Sequence, residues 1–196
     1  MLNRHPNAPA AGQGTVRTPA VGDADTERAV PGPREADSRS VELACEPDLA
    51  QVSSVREFVE SYYRTIIHDG DVICRMAVAA HELLENAAKY STGGLSRLQI
   101  EIRGGANPRL LSVSVSNHAD PARIDELKLA IEELGSTANP AETYQNYMSR
   151  ATLRKDGSGL GLARIRAEAE MTLVLEFQGD QVCVKAVATP IPEEES

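Results

Sequence analysis

The sequence predicts an α/β fold, a two-layer sandwich with helices on one face of a mixed, mostly antiparallel sheet. Two observations lead there. Apolar residues switch between helical and alternating spacing along the chain, in the order β-α-α-β-β-α-α-α-β-β. Four of the strand segments come as pairs, 95–103 with 110–116 and 172–177 with 181–188, each joined by a glycine-bearing turn as hairpins are. That order suits helices covering one side of a sheet and does not suit a doubly wound parallel sheet.

Residues 1–39 stand apart. They hold Pro6, Pro9, Pro19, Pro31 and Pro33, with Gly12, Gly14, Gly22 and Gly32, and no aromatic residue. With no helical or alternating pattern, this stretch is expected to be a disordered tail. Residues 190–196, with Glu193, Glu194 and Glu195, read as a short acidic tail. The folded domain is therefore expected over 40–189, long enough for one packed core.

Within it, 40–45 alternates as a first strand. Leu49, Val52, Val55, Phe58, Val59 and Tyr62 then repeat at helical spacing over 48–67. His68-Asp69-Gly70 reads as a turn, with Asp71 placed to cap the next helix. That helix runs to Ser91 and stops at Thr92-Gly93-Gly94. After the first hairpin come two helices, 121–134 and 140–152. A glycine-rich loop at 157–161 opens a helix to about Met171, and the second hairpin turns at Gly179-Asp180.

Charge narrows the function. The 196-residue chain carries 20 Lys and Arg against 29 Asp and Glu, a net charge of −9. A field of that sign disfavours nucleic acid and anionic lipid as partners. No apolar run approaches the roughly 18 residues of a membrane span, and no secretory signal is visible. Cys45, Cys74 and Cys183 are odd in number and match no zinc or redox spacing, which points to reduced thiols in a cytoplasm.

Two motifs carry chemistry. On the 71–91 helix Ile73, Ala77, Ala80, Leu84 and Ala87 form the stripe to be buried. Glu82, Asn86 and Lys89 share another face at i, i+4 and i+7. A carboxylate, a carboxamide and an ammonium so aligned suit polarising a hydroxyl, ligating magnesium and touching a phosphate. The same spacing also describes a solvated face with a Glu85–Lys89 ion pair. The second motif is Asp156-Gly157-Ser158-Gly159-Leu160-Gly161-Leu162. Alternate glycines there let backbone N–H groups approach an anion at a helix N-terminus. Arg150, Arg154, Lys155, Arg164 and Arg166 make this segment locally basic, as a polyphosphate would require. The alternative is a helix-capping loop among surface arginines.

Together, and in this order, the motifs resemble the GHKL superfamily of ATP-binding domains. Glu82-Leu83-Leu84-Glu85-Asn86-Ala87-Ala88-Lys89-Tyr90-Ser91 resembles its N-box, and Gly157-Ser158-Gly159-Leu160-Gly161-Leu162-Ala163 its second glycine box. One strand and one long helix ahead of the N-box resemble the anti-sigma-factor-type serine/threonine kinases, which phosphorylate STAS-like antagonists in partner-switching circuits. The resemblance implies the GHKL fold over about 40–188 and ATP with Mg2+ as ligands. It implies that Asn86 holds magnesium and that Glu82 is the base or orders the attacking hydroxyl. It places Gly157, Ser158, Gly159, Leu160 and Gly161 around the phosphates, with Lys89 and Lys155 as additions by charge. The family's adenine-binding Asp-x-Gly-x-Gly box corresponds to Asn117-His118-Ala119-Asp120-Pro121 here. Asn117 takes the Asp position, and its neutral amide is a weaker acceptor for the adenine amine. The alternative function is a non-catalytic module that sequesters a sigma factor or regulator. A homodimer is compatible with either.

Overall fold

A computed structural model describes residues 13–18, 39–103, 110–153 and 159–188. Its elements are β1 (Gln13–Arg17), β2 (Arg39–Cys45), α1 (Leu49–Tyr63), α2 (Gly70–Tyr90), β3 (Ser96–Arg103) and β4 (Leu110–His118). They continue with α3 (Pro121–Ser136), α4 (Pro140–Leu153), α5 (Leu160–Ala167), β5 (Met171–Gln178) and β6 (Gln181–Ala188).

The six strands form one sheet in the order β1-β5-β6-β4-β3-β2. Every pairing among the described residues is antiparallel, so the sheet is not mixed. The cause is connectivity: both hairpins return directly, and β4 lies beside β6 rather than beside its parallel equivalent. Alternation settles which face is covered. Leu98, Ile100 and Ile102 on β3 pair with Val115, Val113 and Leu111 on β4, and all are buried. Val115 and Val113 pair in turn with Val184 and Ala186, which pair with Leu175 and Leu173. The opposite face carries Arg97, Gln99, Glu101, Arg103 and Lys185, tied by Arg103–Glu101 and Lys185–Glu101 contacts at 2.9 and 3.9 Å.

Helices α2, α3 and α5 pack against strands, while α1 lies on α2 and α4 on α5. The expected stripe Ile73, Ala77, Ala80, Leu84 and Ala87 is buried. Met76, Val78, Ala79 and Leu83 are buried too, because α2 lies between α1, α5 and the sheet. Its N-cap is Asp69 rather than Asp71. The Asp69 Oδ1 accepts from Asp71 N at 2.9 Å and Val72 N at 3.1 Å, the reach of a residue just before the first turn. The last helix also ends earlier than expected, at Ala167, and Met171 opens β5 as a fully buried strand residue.

The N-terminal expectation needs the largest correction. Within the stretch read as disordered, Gln13–Arg17 forms a strand paired antiparallel to β5 from Gln178 to Val174, and Arg39 begins β2. Thr18, next to β1, is fully buried. Its backbone N donates to Leu173 O at 2.7 Å, and its Oγ1 accepts from Leu173 N at 2.6 Å. The reason is the edge of β5, whose N–H and C=O groups need partners whatever the composition of the segment supplying them. The rest of the expected tail, the 104–108 turn and the acidic end at 190–196 lie outside the described residues.

Candidate functional site

Both motifs meet on one side of α2. Glu82, expected on a more open face, is buried, its side chain 8% exposed. What covers it is α5. The Arg164 Nη1 donates to Glu82 Oε1 at 2.9 Å, and Arg164 Nε donates to Glu168 Oε2 at 2.6 Å. The bond to Glu168 first, and then that to Glu82, hold the guanidinium even more firmly protonated, against the effect of burial. Tyr144 of α4 faces the same group, and burial followed by the Glu168 charge pushes its phenol upward. Arg75 adds a second tie, 2.9 Å from Glu170 just beyond α5.

The glycines explain how the two motifs come so close. A Cβ at Gly161 would lie 2.5 Å from Glu82 Oε2, so only glycine admits the carboxylate against this turn of α5. Gly159 caps α5 with φ +85°, a left-handed backbone that favours glycine. A Cβ there would meet Tyr147 Cε1 at 2.7 Å. Tyr147 is anchored in turn, its hydroxyl donating to Glu133 Oε2 of α3 at 2.8 Å, while Arg150 sits 3.4 Å from Glu133 Oε1. Burial and then the Glu133 bond push the Tyr147 phenol upward. Leu160 packs partly buried against the core. Lys155, Gly157 and Ser158 lie outside the described residues.

Asn86 and Asn117 line one cavity with Leu83, Tyr90, Arg123 and Val184. Its lining is mostly apolar, with the two amides among it. Its volume, about 20 Å3, holds a water molecule and is far too small for a purine. Two of its lining residues stack on each other, the Arg123 guanidinium carbon 3.4 Å from the centroid of the Tyr90 ring. Asn117, next to last in β4, lies opposite Val182, and its Nδ2 donates to His118 O at 3.0 Å. Lys89 lies 2.7 Å from Glu85 Oε1, the ion pair of the solvated-face alternative.

Among the described residues no group of three or more His, Cys, Asp or Glu is arranged to hold a metal ion. Sequence reading left out three features of this site. Arg164 appeared only as part of a basic flank, and the Tyr147 contact and the Arg123–Tyr90 stack had no local signal.

The fold and the two meeting motifs define a two-layer α/β sandwich with a carboxylate buried against a glycine turn. The chain matches no protein-family model, and no curated protein matches it. Among the described residues no helix is long and apolar enough to cross a membrane.

Proposed function

We propose that this chain binds Mg-ATP as a GHKL-type domain and transfers the γ-phosphoryl group to a serine or threonine of a regulatory protein, a STAS-like antagonist in a partner-switching circuit. The observation that carries this reading is the Glu82 carboxylate seated against Gly161, one helical turn from Asn86 at the cavity. Phosphoryl transfer asks mostly for positioning and charge neutralisation. Glu82 orders the acceptor hydroxyl; its oxygen bonds to the γ-phosphorus, its proton passes to the carboxylate, and the bond to the β-phosphate oxygen breaks to release ADP. Asn86 would hold magnesium, which would supply charge neutralisation at the phosphates. Gly159 and Gly161 keep side chains out of the phosphate path, and Leu160 anchors the turn between them. The cavity beside Asn86 and Asn117 is smaller than a purine, so binding a base requires the side chains that line it to move.

A second reading, a non-catalytic module that sequesters a sigma factor or regulator, is favoured by the closed cavity and by Asn117 in place of a charged acceptor. Equilibrium dialysis of the purified protein with ATP, with and without magnesium, separates the two. The kinase reading expects magnesium-dependent binding that Asn86→Ala abolishes, and turnover that Glu82→Ala abolishes. Absence of binding at millimolar ATP leaves the second reading.

A further inference from the structure

The kinase reading uses Glu82 but gives Arg164 no task, although Arg164 is the group that decides how Glu82 sits. We infer that Arg164 is a positioning residue that reserves one oxygen of Glu82, Oε2, for the acceptor hydroxyl; this inference rests on the proposed function.

The two oxygens of Glu82 have different surroundings. Oε1 accepts from Arg164 Nη1 at 2.9 Å, whereas Oε2 lies where a Cβ on Gly161 would come within 2.5 Å. Rotation about the terminal torsion of a glutamate ordinarily exchanges its oxygens freely. Here the ion pair holds Oε1 and the glycine turn borders Oε2, so Oε2 is the oxygen beside Gly161 that Arg164 does not bind. Arg164 is itself braced, its Nε bonded to Glu168 Oε2 at 2.6 Å on the same helix. Two bonds from one planar guanidinium fix its plane, which a point-charge ammonium cannot do. The guanidinium also offsets the charge of Glu82, so that a carboxylate and a polyphosphate can stand side by side. Tyr144 of α4 adds a hydroxyl that interacts with Glu168 and with the Arg164 and Glu82 charges.

The test uses the full chain with Mg-ATP. A ligand-free double-mutant thermal cycle of Glu82→Gln and Arg164→Gln first asks whether the pair exists; coupling between the two is expected, and additivity overturns the inference. Arg164→Ala strands a buried carboxylate and can unfold the domain. Arg164→Lys and Glu168→Gln are therefore the working variants, the latter releasing Arg164 on its solvent side. ATP hydrolysis is expected to fall in kcat, about 100-fold for Arg164→Lys on the scale of a 1 Å misplacement, and less for Glu168→Gln. The KM for ATP and the affinity for ADP should stay at parental values. Parental kcat in both variants overturns the inference while leaving the kinase reading intact. A rise in KM with kcat retained also overturns it, because Arg164 would then be a phosphate ligand. If the parent binds no ATP at all, the kinase reading falls and the inference with it.

Discussion

Thr18→Val removes one hydroxyl at nearly constant shape and asks whether the N-terminal strand is part of the fold. The side chain is fully buried next to β1. Its Oγ1 accepts from Leu173 N at 2.6 Å and donates to Leu173 O at 3.2 Å. The carbonyl keeps a partner in the substituted protein, because the Thr18 backbone N donates to it at 2.7 Å. The Leu173 N–H does not. It points toward the β1 side of β5, where a valine methyl cannot accept. Leaving one buried donor unsatisfied costs about 1–3 kcal/mol. For a domain of this size each kcal/mol moves Tm by about 2–4 °C, so a fall on the order of 5 °C is expected. Differential scanning calorimetry of the full chain measures it. Thr18→Ser, which keeps the oxygen, should recover most of the loss. A Tm within half a degree of the parent for Thr18→Val would refute the docking of β1 and restore the view of residues 1–39 as a dispensable tail.

Gly159→Ala should cost about 2 kcal/mol or more in urea unfolding, from the left-handed backbone and the clash with an anchored Tyr147 ring. Gly161→Ala involves no left-handed backbone and presses only on the Glu82 carboxylate and its bond to Arg164, so it should cost less stability than Gly159→Ala and, on the kinase reading, lower turnover; equal losses of stability in the two would contradict the contacts described. The buried Tyr63 phenol is pushed above its ordinary value by burial and then by Tyr62. Its contribution is complete below about pH 10, the pKa of an unfolded tyrosine, and is lost as pH rises further, because the unfolded chain ionises first. Tyr63→Phe should therefore flatten the fall of Tm above pH 10, and an unchanged alkaline slope would count against the burial of that hydroxyl. Asn117→Asp should tighten ATP by about 1 kcal/mol relative to GTP, checked by titrating both nucleotides; an unchanged ratio means that Asn117 does not face the base.

The secondary structure was legible wherever a local rule governed it. The stripe from Ile73 to Ala87, the end of α2 at the Thr92-Gly93-Gly94 segment and the turn at Gly179-Asp180 follow from spacing and turn chemistry. The candidate site was legible in part. Glu82 and Gly161 do come together, and Asn86 and Asn117 do share a cavity. Lys89 pairs with Glu85 one turn earlier and does not line that cavity. The burial of Glu82 was not legible, since a glutamate on a helix ordinarily faces water unless a partner from elsewhere covers it.

Periodicity, capping and turn residues act over a few positions, so this chain's own sequence sets where α1 to α5 and the two hairpins begin and end to within a few residues. Which strand closes an edge, which carboxylate is buried and whether a cavity is open depend on groups distant in the chain. β1 gains its place from Leu173 and its neighbours some 155 positions away, and Glu82 gains its cover from Arg164, 82 positions away. Such contacts form only when the whole sheet and its helices assemble. Their energy comes from satisfying buried backbone groups and pairing buried charge, requirements that no local stretch of residues displays.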